Sequence, residues 1–412
     1  MLSAECRVLS PGPPSSSDSA LSTQHSALGY LESLQGSGIR PGLGRIRALL
    51  RALGRPERAY PSIIVAGTNG KGSTSATLAS ILNASGYRTA HYTSPHLVDI
   101  RERWVIGGEP IDDATLIESI ERLRAAAEKS GIEPTYFEAL TIVAFIAFAI
   151  AKCDIAVLEV GMGGRLDATN VVRPIAALIT PIGFDHTEYL GNTIRKIAAE
   201  KAGVIHRGAI ALTSDRDPVV IDVIRRRAAK FGAPLIVVDG EHDTPLRGAF
   251  QRRNAALAVR AAEELMERMP KITRQSIERG VAETRWRGRL ERMLIDDKEV
   301  WIDGGHNAHA ALAIAEFIAS DIAAPRTLVF GIMRDKDVRD VVGILFPLFD
   351  EVIVTEPYPP RSLTVEELRE LAPHAIAERE PKAAIDRALR GSSRSVVIAG
   401  SLYLAGAAIE QL

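Results

Sequence analysis

Residues 63–74, Ile-Ile-Val-Ala-Gly-Thr-Asn-Gly-Lys-Gly-Ser-Thr, carry an apolar run straight into a glycine-rich loop, and a helix-forming segment follows. Glycines at 67, 70 and 72 let successive backbone N–H groups turn toward one centre and approach an anion closely. The start of the following helix adds unpaired donors and the positive end of its dipole. Lys71 adds a point charge for the outer phosphates of a nucleotide. A plain strand-to-helix turn would explain the glycines but not a lysine between two of them. The spacing departs from the common G-x-x-x-x-G-K-[ST] loop: Gly67 stands only three residues before Gly70, and Gly72 separates Lys71 from Ser73. That departure points to a particular branch of phosphate-loop enzymes.

Working outward, short apolar strands alternate with amphipathic helices. Strands are expected at Ile63–Ala66, Thr89–Tyr92, Ile155–Glu159, Ala176–Thr180, Ala209–Leu212 and Leu235–Val238. Helices are expected between them at Ser73–Ala84, Thr115–Lys129, Phe137–Ala151 and Ile194–Ala202. A second series follows, with strands Val300–Ile302, Thr327–Phe330, Glu351–Thr355 and Ser395–Ile398. Its helices are Ala308–Ile318, Val365–Leu371 and Leu402–Glu410. Such alternation implies an α/β fold: a phosphate-loop mononucleotide-binding domain with a mainly parallel sheet, then a smaller Rossmann-like α/β domain. The expected boundaries are a Ser/Pro-rich flexible leader at 1–28, a first domain at 29–292 and a second at 293–412.

Composition narrows the class. The 412 residues are 46% hydrophobic and 25% charged, which excludes wholesale disorder. Fifty basic residues meet 51 acidic ones, so the basic footprint of a nucleic-acid binder is missing. The longest apolar stretch, Ala139–Ala151, is shorter than the about 20 residues of a membrane span and reads as a buried helix. Two distant cysteines, Cys6 and Cys153, suit a reducing cytoplasm rather than a disulfide scaffold or a zinc-cysteine site.

Open α/β sheets bind ligands outside the carboxyl ends of their strands, where Ser94, Glu159 and His186 all fall. A carboxylate there suits Mg²⁺, a hard cation that bridges protein oxygens and phosphates. Glu159 at the end of an apolar strand would otherwise be costly to bury. Histidine is an unusual Mg²⁺ ligand, so residue type alone favours hydrogen bonding for His186. Lys201 ends an expected helix with Gly203 beyond it, a place where a cation complements the dipole. Arg225-Arg226-Arg227 reads as a solvated helix face, and Trp104, Trp286 and Trp301 as packing residues.

The motifs together resemble the folylpolyglutamate synthase/dihydrofolate synthase family of the Mur ligase superfamily. The resemblance runs through Gly67–Ser73, Ser94-Pro95-His96-Leu97, Phe137-Glu138, the long run Glu159–Asn170, Asp185-His186 and Glu200-Lys201-Ala202-Gly203. It continues through Asp303–Asn307, Asp335-Lys336-Asp337 and Gly400–Leu404. It covers roughly Gly38 to the C-terminus. It implies that ATP phosphorylates a substrate carboxylate and that L-glutamate captures the acyl phosphate, with dihydropteroate or reduced folates as acceptors. By resemblance, Asn69, Gly70, Lys71, Gly72, Ser73, Asn254, Arg289 and Asp303 contact ATP. Ser94, Glu159 and His186 match Mg²⁺ ligands, and Lys201 matches a lysine that is carbamylated in relatives and so able to hold a second Mg²⁺. Lys71, Lys201, His186 and His306 are the catalytic candidates. Thr135, Tyr136, Phe137, Glu138, Leu166, Asp167 and Ala168 match pterin-binding stretches, Asp167 and Thr135–Glu138 favouring both activities in one chain.

Three departures stand out. Phe250-Gln251 replaces His-Gln before Asn254; Trp286-Arg287-Gly288-Arg289 lacks the family's proline; Asp303-Gly304-Gly305-His306-Asn307-Ala308 replaces Asp-Gly-Ala-His-Asn-Pro. Each keeps the presumed ligand residue. Among other classes, a peptidoglycan Mur ligase would place a nucleotide-sugar domain ahead of the loop, and only 66 residues precede Gly67. A phosphate-loop ATPase switch leaves the second domain unexplained, and a catalytically dead binder leaves Lys71, Glu159, His186 and Lys201 unexplained. A cytoplasmic monomer working on small molecules, with neither nucleic acid nor membrane as partner, is the expectation.

Overall fold

The computed structural model describes residues 26–38 and 40–412. The expected leader lies outside them except for residues 26–28, which open a helix at 26–33 with Ala27 and Leu31 buried. Two sheets organise the rest. The first holds β1 (Ser62–Ala66), β2 (Thr89–Tyr92), β3 (Trp104–Ile106), β4 (Glu109–Pro110), β5 (Ile155–Glu159), β6 (Ala176–Ile179), β7 (Ile210–Thr213) and β8 (Leu235–Val237). Their spatial order is β4-β3-β2-β5-β1-β6-β7-β8, parallel except for the β2–β3–β4 edge. The second holds β9 (Glu291–Ile295), β10 (Lys298–Ile302), β11 (Arg326–Phe330), β12 (Glu351–Val354), β13 (Ile376–Ala377) and β14 (Ser395–Ala399). Their order is β13-β12-β11-β14-β10-β9, with only β9 antiparallel. Glu291 and Arg292 pair with Ile302 and Trp301, so the second sheet begins two residues before the boundary expected at 293.

Successive side chains of a strand face opposite sides, and β1 shows what that does here. Ile63 and Val65 pack into a core with helices Lys71–Ala84, Ala249–Leu265 and Arg274–Glu283. Ile64 and Ala66 face the opposite core, with helices Gly44–Ala52, Asp113–Ser130, Tyr136–Ile150 and Pro218–Phe231. Both faces of β1 are covered, which is why it reads as an unbroken apolar run. The Tyr136–Ile150 helix is buried from Glu138 through Phe148, as its apolar run implied. Among the described residues no helix is long and apolar enough to cross a membrane.

The helix after β1 goes to one face, and the Ile194–Lys201 helix after the neighbouring β6 goes to the other. Adjacent strands that diverge in this way leave a crevice at their carboxyl ends, and the glycine loop sits in it. The second sheet repeats the device. The Val338–Leu345 helix after β11 packs on one face with Ala308–Asp321, and the Leu402–Gln411 helix after β14 packs on the other with Pro381–Arg390. The two crevices face each other across one cavity.

Candidate active site

Close packing sets the glycine loop. At Gly67 (φ +149°) a Cβ would fall 1.8 Å from Thr180 Oγ1, and at Gly70 (φ +86°) it would fall 2.4 Å from Asn254 Oδ1. Gly70 caps the Lys71–Ala84 helix in the left-handed region, which glycine enters without strain. Gly72 is pressed against the Trp286 indole, where a Cβ would lie 2.9 Å from Nε1. Thr68 Oγ1 accepts from Gly183 N and donates to Gly183 O, both at 3.0 Å, tying the loop to the segment after β6. Lys71 Nζ donates to Thr68 O at 3.0 Å.

His91 in β2 braces the same helix. Its Nε2 is 2.9 Å from Ser75 Oγ, and its ring lies 5.6 Å from that of Trp286. Burial lowers this imidazole to about 4. The unfolded chain therefore takes up the proton below the ordinary 6.5 and the folded chain only near 4, so folding loses stability as pH falls through that window. His91→Gln removes that loss. The stability advantage of the natural chain over this variant, measured by urea unfolding, is expected to narrow from pH 6.5 to 4. A constant gap would mean that His91 titrates normally in the fold.

The cavity between the crevices measures about 560 Å³. It brings together Asn69–Ser73, Ser94, Glu159, His186, Lys201, Asn254, Arg289, Asp303 and His306. Glu159 is buried at the end of β5; its Oε2 accepts from Thr93 Oγ1 and, at 3.3 Å, from Ser94 N. Burial raises its carboxyl, with Lys71 and the Thr93 hydrogen bond pulling the other way. Burial likewise lowers the Lys71 ammonium, opposed by Glu159 and Asp185. Ser94 Oγ is buried without a hydrogen-bond partner among the described residues. Lys201 is buried with Nζ donating to Gly67 O at 2.7 Å, and burial followed by the Lys71 charge lowers its amine to about 7. The bland helix-end role for Lys201 therefore fails, because its side chain points into the site.

Contacts from the second sheet close the cavity. Asp303 accepts from Leu290 N at 2.9 Å and from Gly305 N at 2.6 Å. Asn69 and Asn307 exchange reciprocal amide hydrogen bonds of 3.1 and 3.0 Å, and Asn69 Nδ2 lies 2.9 Å from His309 Nδ1. The Asn69 amide thus faces the opposite lobe. No role follows from sequence for Asp185 or Lys336, yet they make the central ion pair, at 2.9 Å with both side chains about nine-tenths buried. Burial opposes ionisation of Asp185, but His306, His186 and Lys336 outweigh it and hold the carboxyl well below its usual range. The available signal was their presence in two motifs far apart in the chain.

The expected pterin residues do not line this cavity, whose wall on that side ends at Gly161 and Met162. Thr135 and Glu138 form a capping box on the Tyr136–Ile150 helix, and Glu138 also takes Arg45 Nε at 3.1 Å. Glu138 Oε1 is buried and unpaired among the described residues. Phe137 packs on Gly161, where a Cβ would meet its ring at 2.4 Å, and Tyr136 N donates to Ser37 Oγ. Asp167 gives its oxygens to Gly161 N, Met162 N, Thr169 N and Thr169 Oγ1, so its carboxylate fastens the 159–170 loop. Ala168 is buried beside it and Leu166 is exposed. Arg227 also departs from expectation: it leaves the solvated face and donates to Gly203 O at 3.1 Å.

Comparison with known proteins accounts for this arrangement. The Mur ligase middle domain matches residues 65–255, and the Mur ligase glutamate ligase domain matches residues 288–402. A dihydrofolate synthase/folylpolyglutamate synthase of Bacillus subtilis is 34% identical over 89% of this chain and 94% of its own. The structure of Mycobacterium tuberculosis folylpolyglutamate synthase complexed with ADP superposes with a TM-score of 0.86 at 33% identity, covering 95% of this chain and 98% of that one. Escherichia coli FolC in complex with DHPP and ADP gives 0.86 at 31%, with the same coverage. Whole-length similarity in sequence and in structure places the chain in the folylpolyglutamate synthase/dihydrofolate synthase family of Mur ligases.

Proposed function

We propose that this chain joins L-glutamate to dihydropteroate, to folate glutamate chains, or to both, splitting ATP to ADP and phosphate. The observation that carries this reading is the cavity itself, in which a phosphate loop on one sheet faces the motif loops of a second sheet. An acceptor carboxylate oxygen attacks the γ-phosphorus and the β–γ bridging bond breaks, leaving ADP and an acyl phosphate. The glutamate amine then attacks the acyl carbon, phosphate departs, and the amine loses a proton as the amide forms. Water would intercept the acyl phosphate, so the closure made by Asn69–Asn307 and Asp185–Lys336 has a chemical purpose.

In this reading Gly70–Ser73 and Lys71 hold the ATP phosphates, with Asn254, Arg289 and Asp303 around the nucleotide. The residues also fit Mg²⁺. Among the described residues Ser94 Oγ is a buried oxygen without a partner, its backbone N–H bonds the buried Glu159 carboxylate, and His186 lines the same cavity. Ser94, Glu159 and His186 would hold the ion beside the phosphates of bound ATP, where a hydroxyl oxygen and a carboxylate suit a hard cation. The ion supplies charge that offsets the repulsion between carboxylate and triphosphate. Lys201, once carbamylated, would hold a second ion. Tyr136, Phe137 and Leu166 would meet the pterin, with Thr135, Glu138, Asp167 and Ala168 shaping that pocket. In this reading the second lobe begins with β9 at Glu291, and the enzyme works in the cytoplasm as a monomer.

The test offers ATP, Mg²⁺ and glutamate with either dihydropteroate or a reduced folate, and follows ADP and amide together. Amide formed in step with ADP is expected. ADP release that ignores both acid and amine would mean an ATPase switch instead.

A further inference from the structure

The run Glu159–Asn170 has different neighbours at its two ends. Gly161 and Met162 stand in the wall of the cavity. At the far end Asn170 is a hub. Its Nδ2 donates to Arg165 O at 3.1 Å and to Gly203 O at 3.3 Å, and its Oδ1 lies 2.8 Å from His206 Nε2. Arg165 sits directly over Gly203, where a Cβ would fall 2.4 Å from its own Cβ. Arg227 reaches the same Gly203 carbonyl from the Pro218–Phe231 helix. The Gly44–Ala52 helix, which carries Arg47, packs against the 168–171 turn, and Arg173 lies just beyond that turn.

These arginines lack acids to match them. Arg165 is paired with Glu200 at 2.9 Å, and Arg226 with Asp222 at 3.1 Å. Among the described residues Arg47, Arg173 and Arg227 form no ion pair, and Arg227 Nε is buried without a hydrogen-bond partner. The Arg227 guanidinium carbon lies 4.1 Å from the centre of the Phe231 ring, a contact that leaves its charge unpaired. His206 stands among them: burial first, then Arg227, Arg47 and Arg173, lower its imidazole. Arg47 and Arg173 are exposed. In a chain of 50 basic and 51 acidic residues, such a gathering of one sign is a local choice. The guanidinium groups repel one another, and a bound polyanion would relieve that repulsion.

We infer that this corner holds the outer carboxylates of a γ-glutamyl chain on the acceptor, with Arg47, Arg173 and Arg227 as its cations. The inference rests on the ligase reading given above. An acceptor that already carries several glutamates must place its last carboxyl in the cavity, while the rest of its chain lies outside. A γ-linked chain keeps one free α-carboxylate per residue, so it is a flexible polyanion. Leaving the cavity past Gly161 and Met162, it crosses the exposed Leu166 and meets the arginines on the other side of the same loop. A monoglutamate is too short to reach them. The corner therefore tells long acceptors from short ones and leaves the chemistry at the phosphates untouched.

The experiment measures steady-state amide formation by the full chain with the mono-, tri- and pentaglutamate of one reduced folate. It compares the natural chain with the double variants Arg47→Glu/Arg173→Glu and Arg47→Lys/Arg173→Lys. In the charge-reversed variant kcat/KM for the pentaglutamate is expected to fall about 3- to 30-fold, the scale of a few exposed ion pairs. The loss should lie in KM, and the monoglutamate should change by less than about twofold. The lysine variant, which keeps the charges, should stay near the natural chain. Added salt should narrow the gap between natural and charge-reversed chains for the pentaglutamate only. A loss shared equally by all three acceptors, or none for the pentaglutamate, overturns the inference while the ligase reading stands. So does a natural chain that uses the monoglutamate but not the triglutamate. Retention of an RNA oligomer that charge reversal abolishes, with chain-length preference unmoved, would give the corner to nucleic acid instead. A natural chain that makes no amide from glutamate with any acceptor overturns both readings.

Discussion

Glu159→Ala is expected to lose turnover by about 10³-fold while remaining folded, and raised Mg²⁺ should not restore it. The carboxylate sits at the end of β5, level with Val65 of β1, so the strand that carries the phosphate loop also sets its distance from the charge. Its burial is unfavourable for folding, since desolvation raises its carboxyl despite nearby Lys71. A folded state that holds this proton more tightly than the unfolded state loses that advantage as pH rises through the raised value. Removing the charge therefore relieves a cost above that pH. Glu159→Gln should be at least as resistant to urea at neutral pH as the natural chain, and equally inactive. This pairing separates a functional carboxylate from a structural one. Initial rates across a Mg²⁺ series, with circular dichroism on the same samples, give the answer. Activity within tenfold of normal would remove Glu159 from the phosphate chemistry.

How much of this could be read from the chain differs by kind of residue. The buried parallel strands announce themselves, because a strand covered on both faces is apolar throughout; Thr89–Tyr92 and Ile155–Glu159 match their expected ends. The edge elements β3, β4, β9 and β13 escape the same test. They are short or half-exposed, and tertiary pairing rather than local pattern makes them strands. That the glycine loop and Glu159 would meet at one cavity was legible, because glycines and a charge stood where packing could not use them. Asp167 and Glu138 look equally functional as letters, yet their oxygens largely hold backbone and an arginine. Residue type does not reveal where a side chain's hydrogen bonds go. The Asp185–Lys336 pair, which spans two lobes and 151 positions, has no local signature at all.

Lys201 carries the other large effect. Its amine, lowered to about 7 by burial and by the Lys71 charge, is substantially unprotonated at neutral pH, the state in which an amine adds CO₂. In that addition the nitrogen lone pair attacks the carbon of CO₂ and one N–H proton leaves. A cation becomes an anion that keeps one N–H for Gly67 O. Lys201→Ala should cut kcat by about 10³-fold, the scale of losing a preorganised charge at the reacting phosphate. Acetate or propionate, small enough to enter the space vacated, should restore a measurable fraction, whereas Lys201→Arg should show no such rescue. In the natural chain, stripping CO₂ should depress the rate more at pH 6.5 than at pH 8, because protonation below about 7 withholds the amine from re-addition. An unaltered rate in Lys201→Ala would place the lysine outside the chemistry. A deep loss indifferent to added carboxylates would instead leave it an ammonium whose work is to hold the Gly67 carbonyl and shape the phosphate loop.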